Sequence, residues 1–213
     1  MPIVLPSNVT PSTPLTYEFY TQFIQPQFAE VELQVGGPFL GWSFDAAHAS
    51  GTAILATGGS VYGVAINLPS TQTVSNLWYD ITTAGGTLTS GDCWALLYNS
   101  AGTLIGQSAD QHTIWATGGI GGSAGGGTAL TASTTGSLTN LPAGTYYGAV
   151  VATGTTLPTF ATSAAPQAAF NAHLAAASSR AAILATSITT TPANVTPSSF
   201  TQTGALPIWF ALS

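Results

Sequence analysis

The chain has 213 residues, of which only 4% are charged, against roughly 25% in ordinary soluble domains. Arg180 is the one strong cation against seven carboxylates, and the net charge is −6. That balance speaks against nucleic acid and against an anionic membrane surface as partners, because both need clustered Lys or Arg.

Without charge, the surface must be built from Thr, Ser, Gln, Asn, Gly and Ala. This suits a protein packed permanently into an assembly or one that works outside cells. No run reaches the roughly 18 apolar residues of a membrane span. The lone Cys93 excludes an intrachain disulfide and any CxxC metal site. It sits mid-strand beside Trp94, where a buried, inert thiol is expected.

Residues 1–38 read as an extended, Pro-rich N-terminal arm. Pro2, Pro6, Pro11, Pro14 and Pro26 forbid regular helix and central strand. The opening MPIVLPSNVT shows no secretory signal, since it lacks a basic stretch. Yet Tyr17, Phe19, Tyr20, Phe23, Ile24 and Phe28 are too many large apolar groups to leave in water. They are expected to pack on a neighbouring chain, on a scaffold beneath, or on the chain's own domain. Within the arm EVELQV (30–35) alternates Val31, Leu33 and Val35 with Glu30, Glu32 and Gln34, as a half-exposed antiparallel strand does. Gly36-Gly37-Pro38 marks the boundary, leaving 39–213 as the main domain.

Short strand-like runs follow at steady spacing: 39–44, 60–68, 75–83, 93–98, 103–107, 146–152 and 208–212. Gly and Pro turns separate them. The clearest unit is TLTSGDCWALLYNSAGTLIGQ (87–107), a hairpin whose turn is Asn99 to Gly102, read with LPAGTYYGAVV (141–151). Many short strands between Gly/Pro turns mean an all-β sandwich or barrel. The tract GGIGGSAGGG (118–127) is a loop; it lacks the strand, helix and acidic residue of a dinucleotide site. Residues 161–186 are the one helical candidate, with Phe170, Leu174, Ala177 and Ala181 at helical spacing and Pro166 fit for a helix start. One or two short turns inside a long connection are expected.

The titratable stock is His48, His112, His173 and seven carboxylates. Asp110/His112 and Asp45/His48 are the closest Asp–His pairs. No G-x-S-x-G, HExxH or second cysteine accompanies them, so no catalytic residue, no metal ligand set and no cofactor is assigned. Asp110 and His112 read as turn-formers. Asp45 and Asp92 lack the dense oxygen cluster of a calcium site. Of the five tryptophans, Trp78, Trp94 and Trp209 lie in strand runs and are assigned to the core. Trp115, beside the glycine tract, is the one expected to be exposed and is the candidate glycan contact. Arg180 reads as a structural fork to carbonyls or a carboxylate.

The hairpin CWALLYNSAGTLIGQSAD (93–110) and the turn-strand LPAGTYYGAVV (141–151) resemble the β-sandwich domains of tailed-phage virion proteins. So do LPTF (157–160), NAHLAAASSRAAI (171–183) and the closing TPANVTPSSF…PIWFALS (191–213). The resemblance is to head-fibre, capsid-decoration and minor tail proteins of phages with GC-rich actinobacterial hosts. It implies an antiparallel, jelly-roll-like β-sandwich and a non-enzymatic protein. The expected place is the virion exterior, after assembly in the host cytoplasm. The expected partners are other virion proteins of the capsid or tail lattice, with the chain a homotrimer, as projecting virion proteins often are cyclic oligomers. The alternative is a module that binds host cell-surface glycan.

Overall fold

The structure is a computed structural model that describes residues 39–117, 127–134, 136–165, 167–172 and 174–213. The expected arm over 1–38, with Tyr17, Phe19, Tyr20, Phe23, Ile24 and Phe28, lies outside the described residues, as do most of the glycine tract, Pro166 and His173.

The chain is mostly β, and among the described residues every strand pairing is antiparallel. Its centre is a six-stranded sheet. Three long strands dominate it: β3 (Val61–Leu68), β6 (Trp94–Asn99) and β10 (Gly144–Val151). With β7 (Leu104–Gln107), β9 (Thr131–Ala132) and β12 (Ala181–Ala185) the order is β12-β3-β10-β6-β7-β9. The sequences VYGVAINL, WALLYN and GTYYGAVV are apolar at both parities, which is the pattern of a sheet covered on both faces. Tyr62, Val64, Ile66, Ala95, Leu97, Tyr146 and Val150 point one way into the larger core. Val61, Leu96, Tyr98, Tyr147, Ala149 and Val151 point the other way into a second core. Cys93 is buried on the larger-core side, as its sequence setting implied.

The first face is covered by strands. β1 (Gly41–Trp42), β4 (Asn76–Trp78), β8 (Gly127–Ala129) and β13 (Ala211–Leu212) form one further sheet, ordered β1-β13-β4-β8. β2 (Gly51–Ile54), β5 (Ile81–Thr83) and β11 (Thr159–Thr162) form another, ordered β2-β11-β5. Leu77 and Phe210 reach down onto the six-stranded sheet at Gly148. A Cβ there would meet Ile66 at 2.9 Å, Leu77 at 3.1 Å and Phe210 at 3.2 Å. The second face is covered mostly by irregular chain carrying Val195 and Phe200.

The expected run 75–83 divides at Tyr79-Asp80, so β4 and β5 enter different sheets. Within 161–186 the short turns expected are present, Gln167–Asn171 and the 3₁₀ turn Ala176–Ser178, but the helical spacing does not extend to Ala181. The helix formed there, Gln167–Asn171, is one turn and a half long, and Ala181 begins β12 opposite Val64. Pairing with β3 overrides the weak helical spacing of an alanine-rich string.

Candidate functional site

The hairpin turn between β6 and β7 shows how the loops are fixed. The Asn99 side-chain oxygen accepts the N–H groups of Ala101 and Thr103, both at 3.0 Å. Gly102 has φ +84°, and a Cβ on it would run into the Val195 carbonyl oxygen. Only glycine satisfies both the left-handed backbone and that approach.

Trp115 is fully buried, which corrects its expected exposure and removes it as a glycan contact. It lies on the short helix His112–Thr117, which turns it inward. Its ring packs edge-on against Tyr79 and Phe160, with centroids 5.9 and 5.6 Å away. Its indole N–H donates to the Tyr79 hydroxyl at 3.1 Å. Burial pushes the Tyr79 phenol up to about 12, although hydrogen bonds from Trp115 and Thr128 work in the other direction. Trp78, Trp94 and Trp209 are half-buried rather than fully inside.

Asp110 is the turn-former the sequence suggests. One carboxylate oxygen accepts the Gly91 N–H at 2.7 Å and meets His112 Nδ1 at 2.5 Å, and the other accepts the His112 N–H at 3.2 Å. Burial opposes the charge, but these hydrogen bonds outweigh it and hold the carboxyl below its ordinary range. His112 Nε2 lies 3.1 Å from Thr113 Oγ1. The Asp–His–hydroxyl line is therefore present, but it stands on residues 110–113 at the start of a short, mostly exposed helix. Its carboxylate is also spent on two backbone N–H groups, so it reads as a helix start. Among the described residues no three His, Cys, Asp or Glu side chains come close enough to hold a metal ion. Asp45 accepts the Ala47 N–H at 2.8 Å and so starts a 3₁₀ turn.

The chemistry that the sequence pointed to least clearly lies elsewhere. A cleft of about 500 Å³ is lined by Trp42 of β1, Asn67 of β3, Thr145 and Tyr147 of β10, and Ser178 and Arg180 of the loop before β12. Gly41 brings Trp42 there: a Cβ at Gly41 would stand 2.6 Å from the Asn67 carbonyl oxygen, so β1 can lie this close to β3 only with glycine. Tyr147 is buried as the floor, edge-on to Phe200 at 5.2 Å.

The loop that carries Arg180 is pinned by two side-chain amides, the buried Asn171 and the half-buried Gln202. The Asn171 side-chain oxygen accepts the N–H groups of Arg180 at 2.9 Å and Ala181 at 3.0 Å, and its NH₂ donates to the Ala181 carbonyl at 2.8 Å. Gln202 donates to the Leu174 carbonyl and to Ser179 Oγ. The Ala65 N–H donates to the Arg180 carbonyl at 2.7 Å. The main chain at Arg180 is therefore fixed, while its side chain is exposed. Among the described residues its guanidinium pairs with no carboxylate. Among the described residues no carbonyl or carboxylate receives the fork expected of it, and the side chain lines the cleft. Being the sole strong cation was the one signal that could have singled it out.

Compared with known proteins, the chain matches no family model, no curated protein and no solved structure. Among the described residues no helix is long and apolar enough to cross a membrane.

Proposed function

We propose that the chain is a non-enzymatic structural protein of a phage virion, an exterior decoration, fibre-type or minor tail protein held on the particle by residues 1–38. The observation that carries this reading is the contrast between the body and the arm. Among the described residues the exposed large hydrophobic side chains are Ile54 and Ile114. Such a body offers no broad apolar face by which to adhere. Residues 1–38 hold Tyr17, Phe19, Tyr20, Phe23, Ile24 and Phe28, so the anchoring surface is assigned to them.

The body is read as an antiparallel β-sandwich of jelly-roll type. Support comes from the larger core, where residues of β3, β6 and β10 pack with Leu77, Ile81, Phe160 and Leu212 of the other two sheets and with Phe210 just before β13. A nearly uncharged polar surface suits permanent packing against other virion proteins, and a homotrimer is the assembly proposed. The deciding experiment is particle assembly with a chain lacking residues 1–38. Loss of the protein from purified particles is expected; incorporation at normal copy number overturns the reading.

A second reading, a module for cell-surface glycan, is favoured by one feature, the cleft at Trp42 and Arg180. It moves the sugar contact away from Trp115.

A further inference from the structure

The geometry points to the cleft beside Arg180 as a binding site for an acidic saccharide, a hydroxyl-rich ring bearing a carboxylate. This assignment deepens the glycan reading and rests on it. It is independent of how the chain is held on a particle.

Charge is the first argument. The chain has a single strong cation and seven carboxylates. That cation stands in a cleft lined by no carboxylate, and no described carboxylate pairs with it. A guanidinium presents a planar fork of N–H donors that matches a carboxylate in two parallel hydrogen bonds. A ligand carboxylate can therefore reach it without displacing any described partner.

Shape and lining are the second. A volume of about 500 Å³ lies within the range of small-molecule sites. Trp42 is half-buried, and its indole N–H makes no hydrogen bond to a described residue, so it can offer both a flat apolar surface and a donor. Asn67 and Thr145 stand opposite each other in the β3–β10 register and are exposed at the rim. With Ser178 they supply donors and acceptors suited to ring hydroxyls.

Pre-organisation is the third. Asn171 is almost wholly buried, and among the described residues its three side-chain hydrogen bonds hold the backbone at Arg180 and Ala181. Buried amides are expensive unless satisfied, and once satisfied they rigidify what they touch. The cation is thus presented from a fixed main chain, which lowers the ordering cost of binding.

The test is titration calorimetry of the full chain with three probes at equal concentration. They are a tetrasaccharide alternating glucuronate with N-acetylglucosamine, a neutral tetrasaccharide of N-acetylglucosamine, and a glycerol-phosphate oligomer. The uronate probe is expected to bind tightest and to weaken with added salt. Arg180→Gln should bind it at least about tenfold more weakly, the loss expected for a charge-assisted hydrogen-bonded pair, with an unchanged melting temperature. Arg180→Lys should fall between, because it keeps the charge and loses the fork. Equal binding of neutral and uronate probes, or tighter binding of the phosphate oligomer, overturns the carboxylate assignment and leaves the glycan reading or an anion site standing. Failure of all three probes overturns the assignment and the glycan reading together. Undiminished uronate binding by Arg180→Gln removes Arg180 from the site and overturns the proposal.

Discussion

The two faces of the six-stranded sheet are covered in different ways. One lies under two further sheets and the chain flanking their strands, which bring Leu77, Phe160, Phe210 and the Trp115–Tyr79 pair onto it. The other lies under irregular chain, where Val195 and Phe200 supply the apolar cover and Asn171, Ser179 and Gln202 tie down the backbone. A strand satisfies its own peptide groups through its neighbours. An irregular cover must satisfy them one by one, and the protein uses single backbone bonds, such as that from the Val195 N–H to the Gly102 carbonyl, together with the side chains of Asn171, Ser179 and Gln202. The difference teaches where each property resides. Packing strength belongs to the strand-covered face, whereas the cleft and its cation belong to the irregular one.

The largest expected effect sharpens that contrast. Trp115→Ala should destabilise the fold by about 3–5 kcal/mol, since it removes a fully buried ring and the indole donor to the Tyr79 hydroxyl. Phe200→Ala, on the other face, should cost about 3 kcal/mol, at the low end of the same range, because irregular chain can close over the gap. Urea unfolding of both variants measures the difference. Equal losses would erase the distinction between the faces.

A smaller effect probes the irregular cover itself. Asn171→Ala should cost about 2 kcal/mol, because two N–H groups and a carbonyl lose their partner in a buried place. The same variant should weaken binding of the uronate probe even though residue 171 does not line the cleft. Loss of stability with unchanged binding would show that the network does not position Arg180.

Alkali should affect both faces. Burial raises the phenols of Tyr79, to about 12, and of Tyr98 on the opposite face. A phenol raised in the folded state contributes stability that is complete below its unfolded value near 10. That contribution is lost as pH climbs toward the folded value. The fold should therefore hold to about pH 10 and weaken steadily toward 12. Tyrosinate absorbance for these residues should rise together with the loss of far-ultraviolet circular dichroism. Ionisation that precedes unfolding would mean the phenols are less enclosed than described.

Much of the central sheet is legible in the sequence, because strands buried on both faces read as continuous apolar runs: VYGVAINL, WALLYN and TYYGAVV. The hairpin turn is legible through Asn99 and Gly102 for a local reason, the backbone angles those residues accept. The cover is not. GTAI (51–54), TFAT (159–162) and AAILA (181–185) are too short and too rich in small residues to signal strands by themselves. They become strands through their partners, as Ala181 does opposite Val64. Trp115 misleads for the same reason, since it stands in sequence between His112 and the glycine tract while its neighbours in space are Tyr79 and Phe160. The cleft is assembled from β1, β3, β10 and a loop far apart in the chain, and no local pattern encodes such a convergence.

Native-state amide hydrogen exchange on the full chain tests the division between the faces most directly. The slowest amides should lie in β3, β6 and β10. The cover over residues 186–200 should exchange sooner through local opening, while the Arg180 and Ala181 amides, held by Asn171, should resist more than their neighbours. If residues 186–200 exchanged only with the central strands, at the rate of global unfolding, both faces would be one cooperative core and the account would be contradicted.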